Sequence, residues 1–309
     1  MSSLLVVGSL AYDSIKTPAG EAPKTLGGSA NYFSLAASLF TQVRVVGVVG
    51  EDYSDSDKAI LQKRNVDLSG VEKVPGKTFH WEGKYEGDLN EAQTLKTELN
   101  VFEHFNPQLP EKFRKSEFVF LANIAPELQL QVLDQVESPK YIGMDTMNFW
   151  ISSKKDKLKE VLKKVDVILI NEGESDLLTN STNAIQAAPK IAELGPKMVV
   201  IKRGEYGFVL FSKEHGYYLL PSMPIPNVID PTGAGDTFAG GFFGYLSQKN
   251  TKPTFELIKK ACVVGTLCAS FTIQDFGIKS LVDVNLDNLK ARLKEYKKAV
   301  LLDDDLFNI

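Results

Sequence analysis

Short apolar runs alternate with longer amphipathic stretches through most of the chain. The apolar runs are rich in Val, Leu and Ile, which is typical of strands buried on both faces of a sheet. We predict strands at residues 4–7, 43–49, 118–122, 141–144, 165–170, 198–202 and 208–211. We predict helices at residues 31–40, 55–64, 127–136, 152–164, 184–194, 233–247, 255–271 and 285–299. Because strand and helix alternate, we expect an α/β fold with a mostly parallel central sheet.

One region departs from this rhythm. Residues 70–100 alternate loosely between polar and apolar positions and contain several turn-forming residues. This pattern predicts antiparallel strands that stand apart from the main sheet. Together with residues 13–25 they would form a small β lid over the carboxyl edge of the sheet, where open α/β folds bind ligands. The alternative is an edge extension that does not contact substrate.

Composition describes an ordinary folded protein. The 309 residues are 43% hydrophobic and 24% charged, which argues against the disordered and fibrous classes. Acidic residues outnumber basic ones by 39 to 35 without a dense Lys/Arg block, so we expect neither a nucleic-acid nor a membrane partner. Neither a signal-peptide pattern nor an apolar run of about 20 residues is present, which predicts a cytoplasmic protein. We interpret residues 1–309 as one domain with the lid inserted in it.

The strongest chemical signal is DPTGAGDTFAGGFFGYL at residues 230–246. Gly233, Ala234 and Gly235 leave backbone N–H groups uncovered at the start of an apolar helix, which is typical of an anion site. Asp236 follows in the first turn, where an acidic residue is often only a helix cap. Beside this turn it could instead accept the proton of an attacking hydroxyl while the N–H groups stabilise a transferring phosphoryl group.

This segment resembles the second signature of the ribokinase-like (PfkB) carbohydrate kinase family at every position that can be compared. The resemblance implies a ribokinase-like three-layer α/β/α fold. It also implies an ATP-dependent phosphotransferase that transfers the γ-phosphoryl group to a hydroxyl of a sugar or sugar derivative. We expect this hydroxyl to be a primary one. Asp236 would be the catalytic base, and residues 233–235 would form the anion hole. No Walker A motif or protein-kinase catalytic loop offers a competing phosphate site.

Further parts of the resemblance concern the acceptor. VVGSLAYDSI resembles the family's first strand, whose Asp binds sugar hydroxyls, so Asp13 is a substrate-binding candidate; a turn-forming Asp is the alternative. LGGSANYFSLAASLF resembles the first signature, in which a Gly-Gly turn precedes an Asn that contacts substrate, here Gly27, Gly28 and Asn31. Two residues separate Gly28 from Asn31, whereas many members have three. Asn123 is predicted as a further substrate-binding residue.

Two other segments concern the nucleotide. VDVILINEGESDLL places Asn171 and Glu174 three residues apart at a helix start, which is the spacing of a capping box. It also resembles the family's NxxE motif, which implies that Asn171 lies near the phosphates and that Glu174 holds Mg²⁺ through water. A site with few protein oxygens suits Mg²⁺. IKRGEYGFVLF resembles the turn beside the nucleotide, where Gly204 and Gly207 permit close approach and Lys202 is a candidate phosphate contact.

Asp230 and Thr232 occupy positions that coordinate K⁺ in some members of the family. The resemblance therefore gives ATP and Mg²⁺ as expected cofactors and K⁺ as a candidate.

The acceptor itself stays open, because sugar and nucleoside kinases of this family share these motifs. Phe79, Trp81 and Tyr85 could stack on a nucleobase. Aromatic residues at alternating spacing more often fill the apolar face of a strand, so we favour a sugar over an adenosine-type nucleoside. A catalytically silent sugar or nucleotide sensor is a remote alternative. Lid strands can close the site of a monomer or pair between subunits, so the predicted state is a monomer or a homodimer.

Overall fold

The computed structural model describes residues 3–300 except 88, 90 and 91; the rest of the predicted domain and lid ranges lies outside the described residues. The strands are Leu4–Val7 (β1), Ala11–Thr17 (β2), Gly20–Gly27 (β3), Val43–Val49 (β4), Val66–Lys73 (β5), Phe79–Tyr85 (β6), Ala92–Glu98 (β7), Phe118–Leu121 (β8), Tyr141–Met144 (β9), Val167–Asn171 (β10), Met198–Lys202 (β11), Phe208–Ser212 (β12) and Gly216–Leu220 (β13). The α-helices are Ser29–Ala37 (α1), Asp55–Lys63 (α2), Glu111–Arg114 (α3), Pro126–Leu133 (α4), Asn148–Ser153 (α5), Lys155–Leu162 (α6), Glu172–Thr179 (α7), Ala184–Glu193 (α8), Ala234–Lys249 (α9), Phe255–Thr272 (α10), Lys279–Val282 (α11) and Leu286–Val300 (α12).

The central sheet of the described chain has nine strands in the order β13-β12-β11-β10-β9-β8-β1-β4-β5. Neighbours from β11 to β5 pair in parallel. At one edge, β12 is antiparallel to both of its neighbours, β11 and β13. The carboxyl ends of the parallel strands therefore meet along one edge, where ligands of open α/β folds bind. The predicted α/β class with a mostly parallel sheet is confirmed.

Buried side chains cover both faces of this sheet. Successive residues of a strand point to opposite faces, so Leu4 and Val6 of β1 enter one core, and Leu5 and Val7 enter the other. Helices α1, α9 and α10 supply the first core, and helices α6 and α8 supply the second. This double burial explains why the central strands are continuous apolar runs in the sequence. The result is a three-layer α/β/α arrangement.

Helices α1 and α9 lie against each other and begin at the two glycine turns that the sequence singled out. Gly28 is the N-cap of α1, and Gly233 is the N-cap of α9. A Cβ added at Gly240 of α9 would lie 2.2 Å from the carbonyl oxygen of Phe33 in α1, so only glycine allows this approach. The close packing holds the starts of both helices at the same end of the sheet.

A second sheet of four strands, in the order β3-β2-β6-β7, stands apart from the central one; we call it the small sheet. Within it β2 pairs in parallel with β6, and the outer pairs are antiparallel. The predicted lid range of 70–100 is wrong at its beginning, because residues 66–73 form β5 of the central sheet, parallel to β4. β5 lies at the sheet edge and is half-exposed, so it lacks the apolar run of a central strand.

Within the described residues, every helix is too short or too polar to span a membrane.

Candidate active site

Asp236 lies in the first turn of α9, directly after the Gly-Ala-Gly turn. Gly233 has a φ of 74°, and a Cβ added there would lie 2.4 Å from the ring of Tyr32, so glycine is required on two grounds. The N–H of Ala234 donates to the carbonyl of Pro231 inside the turn. The remaining turn N–H groups and the positive end of the α9 dipole are therefore what this segment would offer to an anion.

Lys202 and Asp145 form an ion pair beside this turn. Lys202 ends β11, and its Nζ donates to Oδ2 of Asp145 at 3.0 Å, with side chains only 15% and 8% exposed. A Cβ added at Gly235 would lie 2.9 Å from the same Nζ, so the ammonium group is adjacent to the Gly-Ala-Gly turn. We call residues 233–235 the phosphate turn, after their predicted role. The sequence reasoning missed Asp145, although an Asp directly after the apolar strand β9, at the carboxyl edge, was an available signal.

Asn171 and Glu174 form the capping box that their spacing allowed. The Asn171 side chain accepts from the N–H of Glu174 at 2.8 Å, and Oε2 of Glu174 accepts from the N–H of Asn171 at 2.9 Å. Burial and the charge of Asp145 raise the pKa of Glu174 to about 8, while Lys202 opposes the shift. The capping role is thus present, and any role toward Mg²⁺ would be additional to it.

The carboxylates around Lys202 exceed its charge. Burial and the charge of Asp145 raise the pKa of Asp236 to about 7, and Lys202 acts in the opposite direction. Three acids, namely Asp145, Glu174 and Asp236, therefore surround one ammonium group, and a bound cation would relieve their repulsion. The described residues contain no group of three or more His, Cys, Asp or Glu side chains arranged as a metal site. A cation held beside these acids would therefore keep most of its waters and take few protein oxygens, as Mg²⁺ prefers.

Asp13 lies beside the Gly27-Gly28 turn at the start of α1. Its side chain is 5% exposed and lies against Gly27, where an added Cβ would be 1.9 Å from Oδ2. Burial raises the pKa of Asp13 to about 7, the N–H of Gly28 opposes the shift, and the charges of Asp230 and Asp236 add to it. The structure therefore brings Asp13, the Gly-Gly turn and Asp236 into one electrostatic environment.

The two predicted asparagines are held by protein groups. Asn31 is fully buried; its Nδ2 donates to the carbonyl of Gly27, and its Oδ1 accepts from the hydroxyl of Tyr53. Asn123 follows β8, and its side chain accepts from the indole of Trp150 at 2.9 Å and donates to Sδ of Met147 at 3.2 Å. Among the described residues, these hydrogen bonds go to Gly27, Tyr53, Trp150 and Met147 and not to Asp13 or Asp236. Their predicted substrate contacts stay predictions.

The segment that precedes the phosphate turn is tied to the small sheet. The carboxylate of Asp230 accepts from the N–H groups of Thr232 and Gly277 at 2.9 and 3.0 Å. The hydroxyl of Thr232 donates to the hydroxyl of Tyr85 on β6, and Thr17 of β2 donates to the carbonyl of residue 229. Asp230 thus already shapes the turn through its hydrogen bonds, and K⁺ coordination by Asp230 and Thr232 stays a prediction.

The remaining predicted residues line the turn between β11 and β12. Gly204 begins a short 3₁₀ turn, and the carbonyl of Gly207 accepts from the N–H of Arg203 at 2.8 Å.

Two aromatic residues of the small sheet, Phe79 and Trp81, contact other residues of the protein. Phe79 stacks on Phe102 with ring centroids 5.3 Å apart, and the indole of Trp81 donates to Thr94. Phe79 thus packs as the apolar-face alternative expects, and base stacking by Trp81 and Tyr85 stays a prediction.

Replacing Asp13 with Asn is expected to make the apo protein more heat-stable, and more so at pH 8 than at pH 5. Because the pKa of Asp13 is raised in the fold, its contribution to stability is fully present below about pH 4 and is lost as the pH rises to about 7. Asn removes that loss, and each kcal/mol recovered raises Tm by on the order of 2–4 °C. Differential scanning fluorimetry of both proteins at the two pH values measures the effect.

Asp52→Asn is the control of opposite sign. Burial alone would raise the pKa of Asp52, but hydrogen bonds from Thr78 and the nearby Lys24 hold it below its usual range. Its stabilisation is present above its ordinary pKa, so the Asn variant should lose Tm at pH 8. A Tm difference for Asp13→Asn that is the same at both pH values would contradict the electrostatic picture of the site.

A doubly covered α/β sheet with a phosphate turn, a neighbouring carboxylate and a buried lysine at its carboxyl edge is the arrangement of a phosphotransferase that acts on an alcohol group. The family model described as "pfkB family carbohydrate kinase" matches residues 1–284, and the chain belongs to this family. It is therefore an ATP-dependent kinase for the hydroxyl of a sugar or nucleoside, as the sequence predicted.

Individual relatives agree with this assignment. A cytidine kinase of Thermococcus kodakarensis is 31% identical over 257 residues, which cover 80% of this chain and 90% of the relative. The crystal structure of a Methanocaldococcus jannaschii nucleoside kinase superimposes with a TM-score of 0.75 at 20% identity, covering 96% and 99% of the two chains. A candidate ribokinase II from E. coli, solved with ATP and Mg²⁺, gives 0.77 at 18% identity, covering 96% and 100%. The predicted ribokinase-like fold is confirmed by these likenesses.

Proposed function

We propose that this protein transfers the γ-phosphoryl group of ATP to the 5′-hydroxyl of a ribonucleoside, with cytidine as the first acceptor to test. The observation that carries the proposal is the similarity to the cytidine kinase, because it extends over 80% of this chain and 90% of the relative. The sequence pattern alone favoured a free sugar. The nucleoside alternative gains from this full-length relative, whereas the solved structures, all near 20% identity, support the fold only.

In the proposed reaction Asp236 accepts the proton of the attacking hydroxyl. The carboxylate lies at the N-terminal turn of α9, so the oxygen that it activates would face the N–H groups that hold the transferring phosphoryl group. Asp13, across the same site, would accept hydrogen bonds from ring hydroxyls of the acceptor. A carboxylate can accept from two hydroxyls at once, as a vicinal diol of a ribose requires.

Lys202 would neutralise charge on the phosphates. Its ammonium group is fixed by Asp145 and lies next to Gly235, so little reorganisation is needed when the triphosphate arrives. Asn171 and Glu174, which form the capping box of α7, would hold Mg²⁺ through its waters. The metal supplies charge neutralisation at the phosphate oxygens.

The small sheet is proposed to act as a lid. Two of its strands already contact residues 229–232 through Thr17 and Tyr85, so the phosphate turn and the lid are mechanically connected. Excluding water over the transferring group would strengthen its electrostatic interactions and limit hydrolysis of ATP.

A panel of acceptors tests the proposal. With ATP and Mg²⁺, we expect kcat/KM for cytidine to exceed that for free ribose by about 100-fold or more, because a buried polar site penalises an acceptor that leaves its groups unpaired. ADP release is measured with cytidine, uridine, adenosine, ribose, deoxyribose and hexoses, in K⁺ and in Na⁺. A free sugar as the best acceptor would overturn the nucleoside assignment, and no turnover with any acceptor would favour a silent sensor. Equal rates in K⁺ and Na⁺ would remove the predicted K⁺ site.

A further inference from the structure

We propose that the hydroxyl of Tyr32 binds the acceptor, at the place that the motif comparison gave to Asn31. The inference deepens the proposed function and rests on it. It assigns a specificity-determining residue to the acceptor side of the site, next to the phosphate turn.

Both polar atoms of the Asn31 side chain are hydrogen-bonded to protein groups. Its amide nitrogen bonds to the Gly27 carbonyl, its amide oxygen accepts from Tyr53, and the residue has no exposed surface. A substrate hydroxyl that reached Asn31 would have to share these buried atoms with Gly27 and Tyr53, because each atom already makes one hydrogen bond. Asn31 therefore holds the start of α1 against Tyr53.

Tyr32 packs against the phosphate turn. Its ring lies over Gly233, where an added Cβ would be 2.4–2.5 Å from three of the ring atoms. The residue is 1% exposed, and its hydroxyl has no hydrogen-bond partner within the described residues. Asp13, Asp230 and Asp236 are all close enough for their charges to act on this phenol.

A buried phenol hydroxyl without a partner is unusual, because buried polar groups are nearly always hydrogen-bonded. Here the phenol ring packs on Gly233, three residues before the proposed base Asp236, and the charge of Asp13 also acts on it. A sugar hydroxyl that reaches Asp13 would supply the missing partner, since a phenol can both donate and accept. The orphaned group thus indicates a ligand polar atom at this point.

The spacing of the first signature agrees with this geometry. Many members of the family have three residues between the second glycine and the substrate-binding Asn, and in this chain that position is Tyr32. The phenol is longer than an Asn side chain and adds an apolar ring to the wall of the site. A tyrosine at this position would leave less room for the acceptor than an asparagine, and its hydroxyl would select for a hydroxyl at one ring carbon of the acceptor.

Tyr32→Phe tests the inference, because it removes only the hydroxyl. We expect the KM for cytidine to rise about tenfold while the KM for ATP stays unchanged. Wild type should prefer cytidine to either 2′-deoxycytidine or 3′-deoxycytidine, and in the variant this preference should shrink about tenfold for the analogue that lacks the contacted hydroxyl. Tm should not fall, since no protein hydrogen bond is lost.

Tyr53→Phe is the matched control, because it removes another buried phenol hydroxyl, one that bonds to Asn31. We expect it to lower Tm and to leave the ratio of cytidine to deoxycytidine rates unchanged. An unchanged ratio and KM in Tyr32→Phe would overturn the inference and leave the hydroxyl to a bound water, and an equal loss of the ratio in both variants would also overturn it. If wild type phosphorylates no acceptor, the proposed function fails, and calorimetric titration of cytidine into wild type and Tyr32→Phe still decides whether the hydroxyl binds it.

Discussion

Asp236→Asn is expected to lower kcat by on the order of 10²–10⁴ while ATP binding is retained. Asn has the shape of Asp and can keep the hydrogen bonds of the first turn of α9, but it cannot take the proton of the attacking hydroxyl. The loss should therefore appear in kcat for every accepted acceptor. ADP release measures the rate, and calorimetric titration with an ATP analogue measures nucleotide binding.

Asp156→Asn is a suitable comparison, because that acid is almost fully exposed on α6 and lies outside the proposed site. It should leave both kcat and ATP binding within error of wild type. If Asp236→Asn turned over any acceptor at close to the wild-type rate, Asp236 would return to the role of a helix cap.

Lys202→Met should lower kcat by about 10²–10³, the range found when a preorganised donor to a developing charge is removed. The methionine keeps most of the length of the side chain and deletes the charge beside Gly235. A second effect is expected on stability, because the variant leaves the Asp145 carboxylate buried without its partner. Steady-state kinetics with varied ATP, together with thermal unfolding, separate the two effects.

Two comparisons complete this experiment. Lys140→Met removes a half-exposed lysine that pairs with Glu117 far from the phosphate turn, and it should change neither kcat nor the KM for ATP. Lys202→Arg keeps the charge, but the larger planar group has little room beside Gly235 and should recover only part of the rate. A kcat for Lys202→Met within about threefold of wild type would exclude Lys202 from phosphoryl transfer.

The central strands were predictable because both their faces are buried. Strands β1, β4, β9 and β11 begin and end at the predicted residues. The missed strands β5 and β13 lie at the edges of the sheet, where half of the side chains face solvent and the apolar run is broken. Edge strands are identified by pairing, which a single sequence does not display.

The site was predictable where the backbone imposes a local signature. The Gly-Ala-Gly turn and Asp236 belong to one such segment, and the capping box of Asn171 and Glu174 belongs to another. Asp145 and Tyr32 acquire their significance only when separate strands and helices meet, since the partners Lys202 and Gly233 are far away along the chain. Tertiary proximity of this kind leaves no short motif.

The contact between Gly240 and the backbone of Phe33 has a consequence for how acceptor choice can change. Two helices in direct backbone contact cannot slide without creating a clash or a void, so the turns at their ends keep a constant separation. In the proposed function, closure over substrates would then come from the small sheet. The distance between the acceptor and the transferred phosphoryl group would be set by the fixed packing of α1 against α9. New acceptor preferences would arise from exchanges of single side chains on a backbone that does not move. An exchange between Asn and Tyr at position 32 would be one example.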